Sequence, residues 1–164
     1  MSKRWKTYEL KVARFFGTER TPLSGINSRH DTSSDTLHAN LYLEAKSVST
    51  LKSSSGWILR WLTKLGFPRG MVSCRITEDD WLYVLHSSAL DEDPPVPEQV
   101  GKPPAACMRL WEDTLGKAVQ EQKAALLALF CKGKRGFWLV GSAQDMLVAI
   151  EERKLVKGGS DEVD

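Results

Sequence analysis

Asp35, Glu44 and Lys46 are the residues of this chain whose types and spacing suit a chemical step. The stretch Leu41-Tyr42-Leu43-Glu44-Ala45-Lys46 alternates apolar and polar positions, the pattern of a half-buried strand. Successive side chains on a strand point to opposite faces, so Leu41, Leu43 and Ala45 share one face and Tyr42, Glu44 and Lys46 the other. Glu44 and Lys46 then stand side by side, with roughly 7 Å between their Cα atoms. Asp35 lies nine positions upstream of Glu44, in a polar loop from which a short turn can return it to the strand.

Two carboxylates and a lysine at one place suit phosphodiester hydrolysis. Mg²⁺ prefers one or two carboxylates together with waters and phosphate oxygens, and Mn²⁺ accepts the same hard ligands. A metal held by Asp35 and Glu44 would polarise a phosphodiester and activate the water that attacks it in line. Lys46 would orient that water or stabilise charge on the phosphorus; a lysine beside carboxylates ordinarily keeps its proton. Asp31 is the rival of Asp35, which sits nearer the strand start. Glu9 falls at the edge of an apolar helix face, where a charge needs a partner or a metal.

The elements that must position these groups can be read from periodicity. Trp5, Tyr8, Val12 and Phe15 recur at helical spacing, with Glu9, Ala13 and Phe16 beside them, and predict a helix over 3–16 that stops near Gly17. A short strand is expected over 19–23 and an exposed loop over 24–36. After a serine-rich connector at 49–56, Trp57, Trp61 and Leu65 mark a helix, with Arg60 and Lys64 on a neighbouring face. Two strands, 71–76 and 81–86, flank an acidic turn, and the proline-bearing stretch 91–104 reads as an irregular excursion. Met108, Trp111, Leu115, Ala118 and Gln122 define one face of a helix over 107–123. Residues 124–131 form a continuous apolar run suited to a strand buried on both sides. A basic turn, Lys132 to Gly136, leads into a returning strand at 137–140. Ser142 and Asp145 resemble a capping box for a last helix ending at Lys157-Gly158-Gly159, and 158–164 is expected to be a disordered acidic tail. The order predicts an α/β fold: a mixed central sheet flanked by helices, in a single domain over 1–157 with an insertion at about 50–105.

Net charge is only +2, but it is unevenly spread. Residues 1–75 hold 13 Lys and Arg against 5 Asp and Glu, whereas residues 76–100 hold 7 acids and no base. A basic first half is the footprint of a polyanionic partner. No apolar run reaches the ~20 residues of a membrane helix, and the basic start leads into an amphipathic pattern unlike a signal peptide. Cys74, Cys107 and Cys131 are scattered among apolar neighbours, as expected of buried free thiols in a reducing, cytoplasmic setting.

The order helix-Glu9, Asp35, Glu44-x-Lys46 resembles the PD-(D/E)xK nuclease superfamily. It is most similar to the Holliday junction resolvases of archaeal type and their phage relatives. Pro22-Leu23-Ser24-Gly25, Ser34-Asp35-Thr36-Leu37-His38 and Leu43-Glu44-Ala45-Lys46 carry the resemblance, which spans roughly 5–47 and 107–150. It implies a restriction-endonuclease-like core, with Glu9, Asp35 and Glu44 as metal-site carboxylates and Lys46 as the catalytic lysine. It also implies Mg²⁺ or Mn²⁺ as cofactor, four-way DNA junctions as substrate, and a homodimer that nicks opposing strands. Ser34 stands where the superfamily name places proline, and the 50–105 insertion is long for such a resolvase. Alternatives are a restriction- or repair-type nuclease on duplex or flap DNA, and a non-catalytic DNA-binding protein on the same fold. Arg20, Ser24, Asn27, Arg29, Lys132, Lys134 and Arg135 are candidate DNA contacts, since phosphates bind such side chains. His30 and His38 are candidates for proton transfer, while His86 reads as structural. Trp57, Arg60, Trp61 and Lys64 could stack on unpaired bases, although helical tryptophan spacing more often signals packing.

Overall fold

A computed structural model of the chain describes residues 4–22, 32–48, 56–64, 71–76, 78, 80–91, 98–131 and 133–161. Helix α1 (Arg4–Phe15) precedes strand β1 (Leu41–Ser47), helix α2 (Gly56–Lys64), and strands β2 (Met71–Arg75) and β3 (Trp81–His86). A 3-10 turn at Ser87–Asp91 and strand β4 (Glu98–Val100) follow, then helix α3 (Ala105–Glu121), strands β5 (Ala124–Phe130) and β6 (Trp138–Ser142), and helix α4 (Ala143–Asp161). The described strands make one mixed sheet in the order β1-β5-β6-β3-β2-β4. β1 runs parallel to β5 and β2 parallel to β4; the β5–β6, β6–β3 and β3–β2 pairs are antiparallel.

The sheet is covered on both faces because its inner strands are apolar on both. Along β5, Ala125, Leu127 and Leu129 join one core with Tyr42, Ile58, Leu62, Cys107, Trp111 and Ala118, beneath α2 and α3. Leu126, Ala128 and Phe130 join the other with Tyr8, Val12, Phe16, Leu41, Leu43, Met146 and Ile150, beneath α1 and α4. The two-sided strand expected over 124–131 is thus present as Ala124–Phe130, between β1 and β6. Cys74, Cys107 and Cys131 are buried free thiols. Among the described residues no helix is long and apolar enough to cross a membrane.

Several expectations are corrected. The strand expected over 19–23 is reduced to a single antiparallel bridge, Arg20 to Thr36. Residues 32–36 do not form an exposed loop: Thr32, Ser34 and Thr36 are buried, because side-chain and backbone hydrogen bonds satisfy a segment that periodicity reads as solvated. The stretch expected to be irregular contains β4, short enough to escape pattern reading, on the sheet margin beside β2. On α3, Trp111 and Ala118 of the expected face are buried together with Cys107 and Thr114, and Met108 packs against the same core, but Leu115 and Gln122 are exposed; Gln122 takes a left-handed C-cap at φ 56°. In α2 Ile58 and Leu62 are buried beside the expected Trp61, which is half-buried against the same core, and Arg60 and Lys64 are exposed; the Trp57 side chain and Leu65 lie outside the described residues. Ser142 Oγ caps α4 by accepting the Asp145 N–H at 3.1 Å. That helix continues through Gly158 to Asp161, since a glycine costs a helix only about 1 kcal/mol and nothing in the sequence forces the turn.

Candidate active site

The chain enters β1 through a set of local hydrogen bonds. His38 Nδ1 accepts the Asn40 and Leu41 N–H groups, at 3.0 and 3.2 Å, and Asn40 O accepts the N–H of Ala124, which opens β5. Ser34 then pins the preceding segment alongside the strand. Its hydroxyl accepts the Leu43 N–H at 2.9 Å and donates to Leu43 O at 3.1 Å. The Asp35 N–H also donates to Leu43 O, at 2.9 Å. One step further, Asp35 Oδ2 accepts the Ala45 N–H at 2.7 Å. The turn expected to return Asp35 to β1 is therefore present. A proline at position 34 could supply neither the hydroxyl nor the N–H that donates to Thr32 Oγ1, so the serine has a local reason.

Glu44 and Lys46 share a strand face as expected, with Lys46 Nζ 3.4 Å from Glu44 Oε1. Tyr42, on the same face, is wholly buried, and its hydroxyl lies 2.7 Å from Ser33 Oγ; burial pushes its phenol up. Glu9 comes from α1, on the opposite side of the sheet, and is 3 % exposed. Arg20 Nε donates to its Oε2 at 3.2 Å. Asp35 sits at the margin between them. Burial first, then the charge of Glu44, raises its carboxyl to about 7. The Ala45 N–H works against that rise, Glu9 adds to it, and Lys46 opposes it. Glu9, Asp35, Glu44 and Lys46 are thus brought into one electrostatic neighbourhood.

They do not form a ready three-carboxylate cage. Among the described residues no group of three or more His, Cys, Asp or Glu side chains could hold a metal ion. The reason is geometric and electrostatic: Glu9 approaches from the α1 side and is engaged by Arg20, while Glu44 approaches from the α3 side beside Lys46. The hard-oxygen pair that remains is Asp35 and Glu44, whose charges act on one another, and Mg²⁺ takes one or two carboxylates with waters and phosphate oxygens as its further ligands. A divalent cation between them would offset the repulsion that holds the Asp35 carboxyl up.

The other candidates divide. Arg20 is turned to Glu9 and is only 24 % exposed, so it buttresses the site instead of facing solvent. Lys134 and Arg135 are exposed on the β5–β6 turn, at the same end of the sheet as Lys46, whose register partner is Leu129. His38 is no proton shuttle poised in a cleft: Nδ1 is occupied by backbone donors, and Nε2 lies 3.4 Å from Glu152 Oε2. His86 is structural, with Nε2 3.1 Å from Arg135 O and Nδ1 2.8 Å from Ser88 Oγ. Ser24, Asn27, Arg29, His30, Asp31 and Lys132 lie outside the described residues, as does the Trp57 side chain.

Sequence reasoning missed three residues of α3. Glu121 accepts from the hydroxyls of Thr32 and Ser33 and from the Ser33 N–H, tying α3 to the segment that carries Asp35. These bonds lower its carboxyl against the opposing effect of burial, which is the largest single influence. Lys117 is paired with Asp113 at 3.1 Å. The available signal was the charged i, i+4, i+8 series Asp113, Lys117, Glu121. Comparison of the chain with family models, curated proteins and solved structures yields no match.

Proposed function

We propose that this protein is a Mg²⁺- or Mn²⁺-dependent DNA endonuclease selective for branched structure, a Holliday junction resolvase acting as a homodimer on a restriction-endonuclease-like core. The observation that carries the reading is the Asp35 carboxylate anchored on the Ala45 N–H, beside Glu44 and Lys46. Asp35 and Glu44 would hold the cation, and Glu9 with Arg20 would set the field behind them. The metal, when bound, supplies a Lewis acid for the phosphodiester and an acidified water. Lys46 orients the attacking water and balances charge on the phosphate. The substrate and the dimer rest on the resemblance of the Glu9, Asp35 and Glu44-x-Lys46 order.

Labelled four-way junction, flap and linear duplex, incubated with and without Mg²⁺, test the proposal together. Cutting of the junction alone, with Mg²⁺ only, and its loss in Glu44→Ala are the expected results. Equal cutting of linear duplex would replace the resolvase by a restriction- or repair-type nuclease. Binding of DNA without any cutting would make the chain a DNA-binding protein.

A further inference from the structure

Asp113, Lys117 and Glu121 lie on one stripe of α3, and that stripe has a fixed relation to β1. Glu121 holds Thr32 and Ser33, and Ser33 Oγ meets the Tyr42 hydroxyl, so the C-terminal end of α3 stands over the beginning of β1. The chain then passes through Gln122 and Lys123 into β5, where Ala124 is level with Leu41. Helix α3 and strand β1 therefore run in opposite directions. Four helical residues rise about 6 Å and two strand residues about 6.6 Å, nearly the same step. With Glu121 level with Tyr42, Lys117 falls level with Glu44 and Asp113 with Lys46. The electrostatics agree. The Asp113 hydrogen bond is the main influence holding the Lys117 ammonium protonated; burial opposes it, and the charges of Glu44, Asp113 and Asp35 reinforce it. The Lys117 and Asp113 side chains are 42 % and 61 % exposed, so their pair is a weak one that a stronger anion can displace.

We propose that Lys117 is a phosphate-binding residue of this site, meeting from α3 the DNA phosphate that Lys46 and a cation held by Asp35 and Glu44 would meet from the sheet margin, with Asp113 as its resting counter-ion. The inference rests on the nuclease reading above. It adds a cation from the second half of the chain, separate from the basic turn at Lys134 and Arg135. An incoming phosphate takes the place of the Asp113 carboxylate on the Lys117 ammonium, and no covalent bond is made or broken in the exchange.

The test is binding of a fluorescent four-way junction to the full chain with Ca²⁺ in place of Mg²⁺, titrated over a range of salt, beside a cutting assay in Mg²⁺. K117M is expected to bind roughly tenfold more weakly, with the slope of log affinity against log salt reduced by about one. K117R is expected to keep the wild-type slope, and D113N to bind more tightly because the competing carboxylate is gone. Unchanged affinity and slope in K117M, with wild type still cutting, overturn the assignment and leave the nuclease standing. Wild type that neither binds nor cuts overturns both. If K117M folds poorly, D113N decides: no tightening overturns the assignment.

Discussion

Asp35 couples the candidate chemistry to stability. Its carboxyl ionises near pH 7 in the fold but near 4 in the unfolded chain, so the native state holds the proton more tightly. The associated stability is full below about pH 4 and is lost as pH rises through 7. Asp35→Asn removes the penalty and can still accept the Ala45 N–H. At pH 8 this variant is expected to melt roughly 3 °C or more above wild type and to cut nothing, while at pH 4 the two melts coincide. Added Mg²⁺ should raise the melting temperature of wild type at pH 8 and leave the asparagine variant unmoved. The histidines act with the opposite sign. Burial pushes both His38 and His86 down, so stability falls as pH drops below about 6.5, where only the unfolded chain takes the protons. The two effects share a pH window, and urea midpoints measured in the Asp35→Asn background isolate the histidine part. There the midpoint should be lower at pH 5.5 than at 7.5. Arg20→Ala removes the guanidinium 3.2 Å from the buried Glu9 carboxylate and should cost on the order of 2 kcal/mol by urea unfolding.

Among the elements, those with a strong period are legible in the sequence. The β1 alternation placed Glu44 and Lys46 on one face, and the apolar run of β5 announced a strand buried on both sides. Elements defined by partners elsewhere in the chain were not. Residues 32–36 look like solvated loop because their polar side chains are satisfied by Glu121 and Leu43, far away in sequence. β4 has three residues and exists because β2 offers it a margin. Lys117 resembled any surface lysine, because its importance depends on α3 lying antiparallel to β1. The β5–β6 connection shows how tightly such joints are set. Gly136 has φ +69°, and a Cβ there would stand 2.5 Å from Ser87 Oγ and 2.8 Å from His86 Cε1. Gly136→Ala should destabilise the fold by roughly 2 kcal/mol in a urea titration and loosen the turn carrying Lys134 and Arg135.

For the whole molecule, the candidate site is a seam between elements. Its carboxylates come from α1, from the segment before β1 and from β1 itself, and its outer wall comes from α3. Among the described residues β1 takes its ladder from β5 alone, with Leu41 level with Ala124. Parallel pairing between such distant stretches is slow to form, since the loop must close before the contacts reward it. During synthesis the first half of the chain, with its concentration of positive charge, leaves the ribosome well before α3 and β5 exist. A nascent chain of that length can attract nucleic acid electrostatically, yet it lacks the strand that aligns Glu44 and the helix that holds the Asp35 segment. On the nuclease proposal, cutting should therefore require translation through α3 and β5, and ribosome-bound chains arrested before residue 124 should hold DNA without nicking it.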